Sequence, residues 1–145
     1  MNSPEEHFRK LERMYETASI NHYFEPLLHV SEGRADLTIP IKPAFFHFAH
    51  AIHGTVYFKA LDDSAWFAAN SLVTDVLVLT VSFNIFFTRP VTSGELRATG
   101  IVVHHSRNLI VADSVVQDSE GRQVSRGTGT FMRSQIPFSP EVGYA

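Results

Sequence analysis

The chain has 145 residues, 44% hydrophobic, 12% aromatic and 19% charged, with a formal net charge of −3. That composition suits one globular domain and excludes a disordered segment or a coiled coil, while the slight acidity leaves no global basic field for nucleic acid. The lack of cysteine removes disulfides, thiol nucleophiles and Cys-bearing zinc sites, and a charge-rich N-terminus with no long apolar run predicts a soluble, cytoplasmic chain without membrane contact.

In chain order, Ser3 followed by Pro4, Glu5 and Glu6 predicts a helix over residues 4–19: a capping hydroxyl, proline in the first turn, then acids at the positive end of the dipole. Phe8, Leu11, Tyr15 and Ala18 form one apolar stripe that should lie against a sheet. Two short strands follow, residues 26–30 and 35–41, the second with period two at Ala35, Leu37, Ile39 and Ile41 and closed by Pro40 and Pro43.

From Gly54 to about Leu72 there is no proline, and apolar residues cover more than half the circumference, so a long buried helix is predicted. From Val76 the period becomes two, with Val81, Phe83, Ile85 and Phe87 expected on one face and Thr80, Ser82, Asn84 and Thr88 on the other. Residues 96–104, 109–117 and 123–132 read as three more strands joined by hairpin turns; residues 135–140 read as irregular chain. The fold class is α+β, an antiparallel sheet of five or six strands around one central helix with an extra N-terminal helix. It fits a single domain over residues 1–145 with its core at about 25–133.

His47, His50 and His53 recur every three residues, followed by Asp62 and Asp63. Placed in a loop after Pro43, the histidines gain no fixed geometry from that spacing, so no metal is expected. His53-Gly54 at the helix start is more telling. The first N–H groups there are unpaired and lie at the positive dipole end, and glycine lets a carbonyl approach the backbone, although Gly54 could equally just ease the turn into the helix. Asp62 lies ~12 Å further along the axis at 1.5 Å per residue. One helix therefore cannot bring both groups to one carbonyl, whereas two helices packed antiparallel in a homodimer could. Asp63 competes with Asp62 for any chemical role, and both could simply face solvent.

These residues resemble a known family. His53-Gly54, Leu61-Asp62 and the stretch Ala65 to Ser71 are similar to the HGG-(x)-LAD-x-A-x-x-x-AAxS signature of PaaI-type acyl-CoA thioesterases of the hotdog fold, within the 4-hydroxybenzoyl-CoA thioesterase superfamily. Ser82 to Val91 resembles the family's N-I-x-F-x-R-P strand, and Ser106 to Asp113 and Glu120 to Met132 resemble its later turn and closing strands. The likeness spans about residues 44–133.

The resemblance implies a homodimer assembling into a homotetramer, an acyl-CoA or acyl carrier protein thioester as partner, and no cofactor beyond the coenzyme A of the substrate. It makes Asp62 the carboxylate that acts as general base or nucleophile and Gly54 the N–H donor to the carbonyl, with His53 beside it. Thr80 matches a hydroxyl near the attacking water. Arg89 and Arg107 match basic positions near the CoA arm, and Asn84, Thr55 and Ser106 complete the expected substrate-contacting set. Two positions depart from the pattern: Thr55 replaces the second glycine, and His47 stands where an asparagine is common. A hydroxyacyl dehydratase of the same fold acting through His47, or a non-catalytic acyl-CoA binding module, are the alternatives. An Asp62 pKa of about 4, the ordinary carboxylate value, is expected.

Overall fold

The computed structural model describes residues 2–145. The Ser3 hydroxyl accepts the Glu6 N–H and Pro4 opens the first turn, so α1 (Pro4–Thr17) starts where the sequence indicates. It stops at Ala18, whose extended backbone turns the chain into a four-residue helix, α2 (Asn21–Phe24), which no sequence pattern announces. The buried face of α1 is His7, Phe8, Leu11, Met14 and Tyr15.

The central helix α3 (Gly54–Asn70) is wrapped by one antiparallel sheet: β1 (Leu27–Ser31), β2 (Arg34–Pro40), β3 (Val76–Phe87), β4 (Glu95–His105), β5 (Ile110–Gln117) and β6 (Gln123–Pro137), in spatial order β1-β2-β4-β5-β6-β3. Period-two alternation turns Ala35, Leu37 and Ile39 of β2, Leu96 and Ala98 of β4 and Ala112 and Val116 of β5 toward α3, which answers with Ala60, Leu61, Ala65 and Ala68. A fully buried side chain such as Leu61 contributes about 1.5–3 kcal/mol. Small residues set how closely the layers approach. A Cβ on Gly100 of β4 would stand 2.2 Å from the Ser64 carbonyl oxygen, so glycine there lets the backbone of α3 rest on the sheet. Beside it the Ser64 and Ser114 hydroxyls meet at 2.6 Å, pairing two buried polar groups across the same layer.

Two expectations fail. Residues 135–140 are not simply irregular chain: β6 runs to Pro137 because the start of β3 offers a partner, Val76 against Pro137. The chain then folds back through a short 3-10 turn to bury Tyr144, whose hydroxyl lies 2.7 Å from His7 Nδ1. His7 Nε2 is 2.9 Å from the Asn70 carbonyl. A carbonyl only accepts, so Nε2 carries the proton and Nδ1 accepts from Tyr144, clamping α1, the end of α3 and the C-terminal residues together.

The second failure is the face assignment in β3. Thr80 pairs with Phe131 and Ser82 with the adjacent Thr130, leaving Val81 as the extra residue of a β-bulge. The bulge reverses the alternation, so Thr80 before it and Phe83 after it both face α3, while Val81 is 57% exposed. β3 is also an edge of the sheet, and it exposes Leu79, Val81, Phe86 and Phe87. Among the described residues no helix is long and apolar enough to cross a membrane.

Candidate active site

Phe45 and Phe46 anchor the segment before α3, and Phe46 bridges to Ile52 across a tight loop. Within that loop His47 Nδ1 accepts the Ala49 N–H at 3.0 Å, and His50 adopts a left-handed conformation at φ 64°. His53 then caps α3: its Nδ1 accepts the Thr55 N–H at 3.0 Å and its carbonyl accepts the Val56 N–H. The Gly54 N–H is left with no acceptor among the described residues. It opens onto a cleft of about 390 Å³ lined by His47, Tyr57, Phe87, Thr88 and Arg89.

A free N–H at the positive end of a seventeen-residue helix is suited to an oxygen that gains negative charge. His47 and His53 each use Nδ1 to accept a local backbone N–H. No group of three His, Asp or Glu side chains suited to a metal ion occurs among the described residues.

Asp62 belongs to a different cleft of about 380 Å³, lined by Tyr15, Lys59, Asp63, Trp66, Phe67, Leu79 and Thr80 among others. Its Oδ1 accepts the Thr80 hydroxyl at 2.8 Å. Burial lifts its carboxyl above the ordinary value, the Thr80 hydrogen bond pulls it back, the adjacent Asp63 raises it and Lys59 lowers it. The expectation of an unshifted carboxylate is thus corrected: a half-buried acid on a largely apolar helix pays desolvation that sequence alone does not reveal. Asp63, the competitor, is already engaged, accepting from Tyr15 at 2.5 Å and Lys59 at 2.6 Å.

The remaining residues divide. Arg89 lines the Gly54 cleft and its carbonyl accepts the Tyr57 hydroxyl at 2.7 Å. Arg107 and Ser106 lie exposed at the β4–β5 turn, where the Ser106 hydroxyl donates to the Leu109 carbonyl. Neither Arg89 nor Arg107 has a carboxylate partner among the described residues, whereas Arg122 is paired with Asp118 and Glu120. Thr55 stands beside Gly54, its hydroxyl 3.0 Å from His53 Nδ1. Asn84 lies on the face of β3 turned away from α3, between the inward Phe83 and Ile85, and in a single chain it meets neither cleft. Tyr15 and Lys59 were not indicated as site residues. The Lys59–Asp63 spacing of four on a helix is a visible signal for the second, and nothing in the sequence places Tyr15 there.

Comparison with known proteins bears on the family and the fold. The model of the thioesterase superfamily matches residues 49–125. A Saccharolobus solfataricus protein described as a candidate esterase is 23% identical over 127 residues, 88% of this chain and 87% of that one. A similarly described Thermoplasma volcanium protein is 25% identical over 108 residues, 74% of this chain and 80% of that one. Among solved structures, the E. coli PaaI protein from the phenylacetic acid degradation operon superposes with a TM-score of 0.86 at 20% identity, covering 95% of this chain and 100% of that one. A thioesterase family protein from Silicibacter pomeroyi gives 0.75 at 23% identity, covering 85% and 96%. The fold is the hotdog fold that the sequence motifs indicated.

Proposed function

This chain belongs to the thioesterase superfamily, and we propose that it hydrolyses acyl-CoA thioesters with Asp62 as the reacting carboxylate. The observation that carries this reading is the Thr80–Asp62 hydrogen bond in a cleft walled by Tyr15, Trp66 and Phe67. It gives a carboxylate an orientation and an apolar space beside it for a medium-chain or aromatic acyl group.

Gly54 and Asp62 of one helix lie ~12 Å apart, beyond the reach of one carbonyl group. The working unit is therefore a homodimer in which the Gly54 N–H of one protomer polarises the carbonyl attacked at the partner's Asp62. The unpaired edge of β3 with its exposed Leu79 and Val81 supports that pairing. Apolar residues such as Ile101 and Met132, exposed on β4 and β6, suit two dimers meeting as a tetramer.

Asp62 takes a proton from water, and the resulting hydroxide adds to the thioester carbon. The oxyanion forms against the Gly54 N–H, worth about 2.7–4 kcal/mol for one such donor. Collapse then breaks the carbon–sulfur bond, and the departing thiolate recovers the proton from Asp62, leaving a free acid and a thiol. Direct attack by Asp62, with water cleaving the resulting anhydride, uses the same residues. Arg89 and Arg107, free of carboxylates, suit the phosphates of the carrier arm. Against the dehydratase reading, His47 already spends Nδ1 on the Ala49 N–H within its own loop.

The test is thiol release from a panel of acyl-CoAs, run beside hydration of a 2-enoyl-CoA. Thiol release that disappears in Asp62→Asn supports the reading. Hydration without thiol release, abolished by His47→Ala, replaces it with the dehydratase.

A further inference from the structure

Asp62 and Asp63 are neighbours on α3, yet different elements receive their carboxylates. Successive helical residues are turned by about 100°. Asp62 accordingly meets Thr80 of β3, whereas Asp63 Oδ2 accepts both Tyr15 of α1, at 2.5 Å, and Lys59 one turn earlier, at 2.6 Å. All five side chains line one cleft.

The Lys59–Asp63 pair is not an ordinary exposed helix pair. Its side chains are only 12% and 19% exposed, and the ammonium lies 5.3 Å from the Tyr15 ring centroid and 5.1 Å from that of Phe24. Tyr15 is itself held, packed edge-on against Phe67 at 4.9 Å. Burial, with Asp63 beside it, pushes the Tyr15 phenol up, so it stays protonated and keeps donating.

Resting on the reading of Asp62 as the reacting carboxylate, we propose that Tyr15 and Lys59 are positioning residues for the hydrolysis. By pinning Asp63 on the α1 side of the cleft, they leave Asp62 as the single carboxylate turned toward the thioester and keep a compensating cation one helical turn from it. The extra N-terminal helix is thereby part of the reactive apparatus.

The charges around Asp62 make this measurable. On α3 they are Asp63 and Lys59; the segment from α1 to α2 contributes Tyr15 and the uncharged Ala18, Ile20 and Asn21, and β3 contributes Leu79 and Thr80. Asp63 opposes ionisation of Asp62 and Lys59 favours it, so removing one alone unbalances the site and removing both restores it.

The experiment follows the Asp62 carboxyl carbon by NMR through a pH titration, in parallel with the pH profile of kcat and KM. Lys59→Met should move the Asp62 titration and the acid limb of kcat to higher pH, Asp63→Asn should move both to lower pH, and the double variant should return close to wild type. Lys59→Arg should preserve the wild-type curve. Tyr15→Phe, which keeps the ring packing, should lower kcat several-fold with little change in KM. Titration curves that coincide in wild type, Lys59→Met and Asp63→Asn overturn this inference alone if the wild-type protein releases thiol. A wild-type protein that releases no thiol overturns the thioesterase reading, and with it any role of Tyr15 and Lys59 in hydrolysis.

Discussion

The Thr80 hydroxyl reaches Asp62 across 2.8 Å only because the next residue, Val81, has no partner on β6. Regular alternation would fix one face for the whole of β3, and with Phe83 and Ile85 packed on α3 it would turn Thr80 outward. One unpaired residue therefore joins a strand hydroxyl to a helix carboxylate.

Asp62→Asn should lower kcat for acyl-CoA hydrolysis by about 10²–10⁴-fold, the usual contribution of a general base, and leave KM nearly unchanged. Thr80→Val should cost less, roughly tenfold, because it removes one hydrogen bond to a charged group and spares the carboxylate. Thiol release monitored under single-turnover conditions checks both. Equal losses in the two variants would mean that Thr80 is itself a reacting group.

Asp62→Asn should also stabilise the fold. Its folded carboxyl titrates above the unfolded one because of burial, so the native state binds the proton more tightly. Stability is then lost as pH rises from the unfolded value through the folded one. At neutral pH the variant should be more stable than wild type, and the difference should vanish at a pH below both values. Thermal unfolding at the two pH values reads this out.

Gly54→Ala places its new Cβ 3.3 Å from the rim of the Phe87 ring, a half-exposed side chain that can give way. The protein should fold with an almost unchanged Tm. Thiol release should drop at least tenfold as the approach to the backbone N–H narrows, which paired melting and kinetic measurements would show.

Gly100→Ala behaves in the opposite sense. The added Cβ would meet the Ser64 carbonyl at 2.2 Å, where the obstacle is helix backbone. A loss of about 3 kcal/mol or more is expected, at the top of the range for overpacked cores, in urea unfolding of the variant.

Arg89→Ala and Arg107→Ala should each raise KM for acyl-CoA several-fold and lose that effect when the substrate is an acyl-pantetheine without the nucleotide phosphates. Identical KM changes with both substrates would assign the arginines a role other than phosphate contact.

The sequence resolves best where a single period or cap dominates. Ser3-Pro4-Glu5-Glu6 defines the start of α1, the buried alternation of Ala35, Leu37 and Ile39 defines β2, and the apolar circumference of α3 marks it as central. Gly54 and Asp62 stand out in the sequence as candidates because a motif carries them. Features that depend on contact between distant segments do not: the bulge at Val81 is decided by its pairing with β6, and Tyr15 meets Asp63 only because α1 runs back beside α3, with His7 at Asn70. Asp62 as a raised carboxyl is likewise a property of its surroundings.

The bulge has one further consequence. Thr80 and Ser82 already pair with consecutive residues of β6, Phe131 and Thr130, so a chain lacking Val81 would keep every other pairing of β3 and leave both halves of the strand facing as they do. Deleting a residue is ordinarily the harshest change a strand can suffer, since it inverts all that follows. At position 81 it would merely straighten the ribbon, making this a point in β3 where the length of the chain can vary without disturbing what the two halves touch.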